Sequence, residues 1–199
     1  MEEELLFRLL IVSAWAIFGA IRIRYRLPAS RRAKGDKYEP NQIAMGILSF
    51  GIVAYFITLI LYGFYIPLIL WVSFSLPSIV RWLGVAAALL CSPFLYWIHS
   101  TLDKQYSADL SIKKDHNLIE VGPYRKVRHP MYTVFIVFTV SIAIITTNLP
   151  CILFSLLISI SFPSIAKSEE SMLIDAFGYE YISYMGRTGR FFPPLRSNP

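Results

Sequence analysis

Five runs of apolar residues, separated by short polar stretches, constrain this chain more than any other feature of it. A helix that crosses a bilayer needs roughly 20 mostly apolar residues, since a rise of about 1.5 Å per residue then spans the hydrocarbon layer. Leu5 to Ile23, Ile43 to Phe64 and Trp82 to Leu102 meet that requirement; Met131 to Thr147 is a shorter fourth run and Pro150 to Ala166 a fifth. Backbone groups in lipid must be satisfied within their own segment, so each run is expected to be helical. The chain is 55% hydrophobic and 16% charged, where soluble domains carry roughly a quarter charged residues. This excludes a soluble globular fold and predicts an all-α, multi-pass membrane bundle of about five transmembrane helices.

Punctuation within and between the runs refines the picture. Pro93 and Pro163 predict bends, and Asn148-Leu149-Pro150 predicts a tight turn that makes the last two helices an antiparallel pair. Tyr65 to Val80 is apolar, contains Pro67 and Pro77, and is too short to cross and return, so an interfacial or re-entrant segment is expected. The N-terminus, Met1-Glu2-Glu3-Glu4, is acidic where a signal peptide would be basic, so the first run is expected to be retained. Residues 1–199 read as a single membrane domain: 1–102 carries three spans and a basic loop, and 103–199 a cap, a helical hairpin and a tail.

Charge placement gives an orientation. Arg22, Arg24, Arg26, Arg31, Arg32, Lys34 and Lys37 fill the first loop. Lys104, Lys113, Lys114, Arg125, Lys126 and Arg128 lie between the third and fourth runs, and Lys167, Arg187, Arg190 and Arg196 follow the fifth. Of the 19 basic residues only Arg8 and Arg81 fall on the opposite side. The positive-inside rule then places the N-terminus outside, and the 103–130 segment and the C-terminus in the cytoplasm. A net charge of +6 distributed this way fits topology and contact with anionic membrane lipids, and no nucleic-acid partner is expected. Cys91 and Cys151 lie in apolar runs without metal-type spacing, so they read as packing residues and no metal site is expected. His99 reads as a packing or interfacial residue.

The remaining polar chemistry gathers in His116 to Tyr132, which holds two of the three histidines, and in Lys167-Ser168-Glu169-Glu170. Gly122-Pro123 is a turn signal, and Pro130 suits the first turn of the helix that follows. Taken alone, Arg128-His129-Pro130-Met131-Tyr132 fits an interfacial anchor, and two adjacent glutamates most often mark a solvated helix face. Yet an acidic pair at an anionic membrane surface is unfavourable, and suits a place facing a cation inside the protein. The segment from Ser168 should continue the fifth helix, with Met172, Leu173, Ala176 and Phe177 at helical spacing and Gly178 as its stop. Tyr179, Tyr181 and Tyr184 are interfacial aromatics, and Phe191-Phe192-Pro193-Pro194-Leu195 a stiff apolar flap.

The joint pattern is more specific than its parts. His116-x-Leu118-Ile119, then Pro123-Tyr124, Arg128-His129-Pro130-x-Tyr132, a helical hairpin, Glu169-Glu170 and Phe177-Gly178-x-Glu180-Tyr181-x-x-Tyr184 together resemble the isoprenylcysteine carboxyl methyltransferase family, over roughly Asp109 to Pro194. The resemblance implies a small helical membrane protein that uses S-adenosyl-L-methionine as methyl donor. It implies that Asp109, His116, Asn117, Leu118, Ile119, Tyr124, His129, Pro130, Met131, Tyr132 and Glu170 line the cofactor pocket, with Arg128, Lys167 and Glu169 as candidates for positioning. It further implies a lipophilic or lipidated acceptor entering from the bilayer, a prenylated-cysteine carboxylate foremost, and a monomer. Phospholipid N-methyltransferases share much of the C-terminal pattern, so an amine acceptor is the alternative; a nicotinamide-dependent reductase of the sterol type and a non-catalytic scaffold or transporter are further readings. Two positions depart from the family pattern. Asp109 stands where Asn or Gln is usual, before Leu110-Ser111, and Ala166 stands where the family has a substrate-side Arg, with Lys167 one residue along.

Overall fold

A computed structural model describes residues 2–32, 36–37, 41–64, 72–102, 111–112 and 118–194. Among the described residues six α-helices follow one another: α1 (Glu2–Arg32), α2 (Gln42–Gly63), α3 (Ser78–Leu102), α4 (Pro130–Thr146), α5 (Leu149–Phe177) and α6 (Tyr179–Arg187). Four of them, α1, α2, α3 and α5, contain stretches long and apolar enough to cross a membrane, and the chain is a multi-pass integral membrane protein. Bulky apolar side chains such as Leu9, Val12, Phe50, Leu90 and Ile160 stay exposed on the outside of the bundle, where lipid rather than water is their solvent.

Local sequence sets the helix ends. The Asn41 side chain accepts from the Ala44 N–H at 3.0 Å and caps α2. Pro130 opens α4 in the first turn, where its missing N–H costs nothing. The α4–α5 turn is Thr147-Asn148, with Thr147 in the left-handed region (φ 50°) and Asn148 fully buried. Residues 72–74 lie across this turn: Phe74 N–H donates to the Thr147 carbonyl and Leu149 N–H to the Val72 carbonyl, both at 3.0 Å. Asn148 Nδ2 also donates to Ser73 Oγ at 3.2 Å. Of the expected interfacial or re-entrant segment, residues 65–71 lie outside the described residues and Ser78–Val80 belong to α3. Helix α5 runs on past residue 166 to Phe177, and Gly178 (φ 55°) ends it as the spacing predicted.

Helix α4 is the inner element. It packs most extensively on α3 and also touches α5 and α1, while α2 leans on α5. Phe138, Ile142, Ala143 and Ile145 on it are buried, and Phe138 stacks on Phe18 at 4.0 Å between ring centroids. The Tyr55 hydroxyl of α2, fully buried, donates to the Thr139 carbonyl at 2.8 Å.

One expectation is corrected. Arg22, Arg24 and Arg26 do not lie in a loop, because α1 continues to Arg32. Arginine is a good helix former, and its long side chain reaches polar surroundings without the backbone having to unwind. Within the all-α architecture, the described residues include a pair of two-residue strands, β1 (Asp36–Lys37) and β2 (Ser111–Ile112), antiparallel, with Asp36 opposite Ile112. This ties the link after α1 to the segment after α3.

At the Glu4 end of the bundle a polar clamp joins four helices. Arg81 of α3 donates from Nη2 to Glu4 at 2.8 Å and from Nε to the Ile145 carbonyl at 2.8 Å, and its guanidinium lies 3.9 Å from the Phe7 ring centre. Tyr62 of α2 donates to the same Glu4. Arg81→Met should cost about 1–3 kcal/mol, as expected for lost charge-assisted bonds with a buried carbonyl among the acceptors. A detergent thermal melt checks it, and an unchanged midpoint would show that the clamp carries no stability.

Candidate active site

The motif residues converge at the opposite end. Gly122, at φ +60°, lets the chain reverse into a single 3₁₀ turn, Gly122–Arg125, with Pro123 preset for it. Tyr124 in this turn is buried, and its carbonyl accepts from the Tyr184 hydroxyl at 2.6 Å. The next residues run beside the C-terminal segment like two strands. Gly189 N–H donates to the Lys126 carbonyl at 3.0 Å, and Arg128 and His129 N–H donate to the Gly189 and Arg190 carbonyls at 2.9 Å. Thr133 Oγ1 donates to the Phe191 carbonyl at 2.6 Å. Gly189 and Arg190 are thus zipped backbone-to-backbone against the residues that lead into α4, Thr133 holds the Phe191 carbonyl, and Phe191 packs near His129, 6.1 Å between ring centres.

Glu170, only 3% exposed, sits at the centre. Its Oε1 accepts from Arg128 Nε at 2.9 Å, from Arg190 Nε at 3.2 Å, and faces His129 Nε2 at 3.3 Å, while Oε2 accepts from Arg190 Nη2. Arg128 Nη1 reaches on to the Met185 carbonyl at 3.1 Å, to Thr188 Oγ1 at 3.3 Å and to the Thr188 carbonyl. Glu169 faces His129 Nδ1 at 3.1 Å and accepts from the Tyr132 hydroxyl at 2.6 Å. Tyr132 stacks with His129 at 5.5 Å and with Phe162 at 4.6 Å.

A carboxylate lies beside each ring nitrogen of His129, an arrangement that favours the imidazolium form. Burial alone lowers its pKa, but the hydrogen bonds and charges of Glu169 and Glu170 outweigh burial and raise it above its ordinary value. A raised folded-state pKa contributes stability that is complete below the unfolded value of about 6.5 and disappears as pH climbs through the raised value. Melting temperature should therefore fall as pH rises above about 6.5 and through the raised value, and His129→Gln should flatten that fall; an equally pH-dependent variant would contradict it.

The structure brings together Arg128, His129, Pro130, Tyr132, Glu169 and Glu170 from the candidate residues, with Tyr124 tied in through Tyr184. Leu118, Ile119 and Met131 are partly buried, the last two against the core. Lys167 is exposed, while Ala166 beside it is fully buried. Asp109, His116 and Asn117 lie outside the described residues. The sequence places Arg190 only among the basic residues of the tail and does not pair it with Glu170. A lone Arg placed directly before Phe191-Phe192-Pro193-Pro194, in a tail that returns to a buried acid, was the available signal.

A cavity of about 1190 Å³ opens among α1, α2, α4 and α5. Its walls are mostly apolar, with Trp15, Phe18, Leu48, Ile52, Phe56, Phe135 and Phe138 among them. At its polar end lie Arg22, Arg26, Tyr132 and Glu169. Ile158, Phe162, Ile165 and Glu169, spaced by three and four along α5, present one face to it.

Residues 82–175 match the model of the isoprenylcysteine carboxyl methyltransferase (ICMT) family. The chain is 30% identical over 113 residues to the nickel-cobalt-cadmium resistance protein NccN of Alcaligenes xylosoxydans xylosoxydans, covering 56% of this chain and 53% of that one. It is likewise 30% identical over 132 residues to the cobalt-zinc-cadmium resistance protein CzcN of Cupriavidus metallidurans, covering 62% of this chain and 61% of the relative. It therefore spans between half and two thirds of these relatives' lengths. Among the described residues no group of three or more metal-ligating side chains is arranged to hold an ion. In fold it is similar to the eukaryotic intramembrane Ras methyltransferase ICMT, with a TM-score of 0.57 and 21% identity over 73% of this chain and 51% of that chain. Residues 82–175 are thus similar to the isoprenylcysteine carboxyl methyltransferase family, and the helical membrane fold is shared with a solved structure of that name.

Proposed function

We propose that this protein transfers a methyl group from S-adenosyl-L-methionine to a lipophilic acceptor, foremost the carboxylate of a prenylated cysteine or a similar lipid-tailed acid. One observation carries the reading: a single cavity runs from apolar walls among the helices to Tyr132 and Glu169 of the motif cluster. A greasy acceptor and a polar donor therefore have a common meeting place. The residues there fit a sulfonium donor, since Glu169 supplies negative charge and Tyr132 an aromatic ring, both favourable to a cation. We assign the partly buried Leu118, Ile119 and Met131 to the apolar surface that an adenine ring needs. Glu170 is already held by Arg128, His129 and Arg190, so its part is to fix the cluster rather than to bind a ligand ammonium.

When bound, the donor supplies a methyl carbon: the new O–CH₃ bond forms as the S–CH₃ bond breaks, and the sulfur keeps the electron pair. A carboxylate is ionised at neutral pH, so no side chain has to remove a proton. The protein's own contribution is alignment and exclusion of water, which favours a transition state in which opposite charges cancel. We read residues 1–199 as one domain, with the N-terminus outside and the His129 cluster at the cytoplasmic face, where a polar donor arrives from water.

Incubating the purified protein with methyl-labelled donor and a farnesylcysteine mimic tests this. Base-labile, volatile label is expected. Base-stable label would move the reading to N-methylation of a lipid amine, and no label in any lipophilic acid or amine would overturn it.

A further inference from the structure

We infer that Arg22 and Arg26 of α1 hold the anionic head of the acceptor, supplying from the first helix the cation that position 166 lacks. The inference rests on the methyl-transfer reading for the identity of the head group, but its geometry stands independently. Ala166 is fully buried and Lys167 is exposed and does not line the cavity, so neither brings a cation to it from α5. Arg22 and Arg26 do line it, and four residues apart they share one helix face. Arg22 is fixed close to the start of α4: its Nη1 lies 3.3 Å from Met131 Sδ, and its guanidinium 5.2 Å from the Phe135 ring centre. That sets the charge two residues along the chain from His129, at the polar end of the space.

Charge decides which head group fits. The acidic side chain among the lining residues is Glu169, which faces His129 Nδ1 and accepts from Tyr132. Against it, Arg22 and Arg26 bring two guanidiniums to the same end. A guanidinium matches a carboxylate with two parallel N–H···O bonds, whereas an ammonium head would meet like charge. The apolar length beyond, along Trp15, Leu48, Ile52 and Phe56, takes a hydrocarbon tail. The acceptor selected is therefore a long-chain amphiphile with a carboxylate head, and a lipid amine is rejected at this same place.

Trp15 lines the cavity and supplies a readout that needs no methyl transfer. In detergent, quenching of tryptophan fluorescence by a brominated long-chain carboxylate is compared with quenching by the brominated amine of equal length; Trp15→Phe identifies the cavity signal. The unaltered chain should prefer the carboxylate, and Arg22→Ala/Arg26→Ala should reduce that preference by about tenfold or more, the scale of a lost charge-assisted pair. Arg24→Ala, on the same helix but not lining the cavity, should keep it. Equal affinity for acid and amine in the unaltered chain, or a preference that survives the double substitution, would overturn the inference. Retained acid selectivity without any methyl transfer would instead remove the methyl-transfer reading and leave the two arginines assigned. Transfer by a double variant with an unchanged acceptor KM would do the reverse.

Discussion

Glu170→Ala is expected to lower the folding stability of this protein by about 3–5 kcal/mol, the cost of leaving buried charges without their partner. Two cations would face the gap from inside the protein. The Arg128 side chain is 9% exposed and would keep only its bonds to the Met185 and Thr188 groups. His129 would keep only Glu169. Arg190, more exposed, would turn outward and release the backbone pairing it anchors. For a chain of this size the loss corresponds to roughly 10 °C or more in a detergent melt. Glu169→Gln should cost much less, because Glu169 is more exposed and the amide oxygen still accepts from Tyr132. A Glu170→Ala melt close to that of Glu169→Gln would mean that the buried cluster does not hold this end together.

Gly189→Ala should be the second large effect. A Cβ on Gly189 would lie 1.8 Å from the Phe192 carbonyl oxygen and 3.0 Å from its carbon, and backbone cannot yield as the tip of a side chain can. The segment 188–192 must then leave its place, and the bonds from Arg128, His129 and Thr133 to residues 189–191 are lost with it. Gly186→Ala, three residues earlier on α6, meets nothing within 4 Å and should be neutral or stabilise by about 0.5–1 kcal/mol through helix propensity. Limited trypsin digestion separates the two: cleavage at Arg187 and Arg190 should accelerate sharply in the first variant and stay slow in the second. Equal digestion would show that residues 188–192 are not seated as described.

The helical membrane architecture was legible because solvent-scale physics writes it directly into residue composition. Runs of apolar residues have few folded solutions in lipid, and Pro130, Asn148 and Gly178 mark helix ends through purely local preferences. The association of Arg128-His129 with Glu169-Glu170 was legible only as part of a longer motif, since neither pair points to the other by spacing. What stayed hidden was partner choice at long range. Arg190 and Arg22 look like their basic neighbours in sequence; one pairs with a buried acid and the other lines a cavity because of how remote helices are brought together. The strand pair joining Asp36-Lys37 to Ser111-Ile112 is too short to leave a periodic signal.

Helix α4 has 17 residues, about 25 Å of rise, against a hydrocarbon layer of about 30 Å. Rooted in the His129 cluster, it ends at the bend of Thr147 and Asn148, which are both buried within the protein and shut off from water. Residues 72–74 act as a ceiling over that bend, offering one carbonyl, one amide and one hydroxyl where solvent would otherwise be required. A short inner helix is thus made possible by a strip of backbone borrowed from another part of the chain.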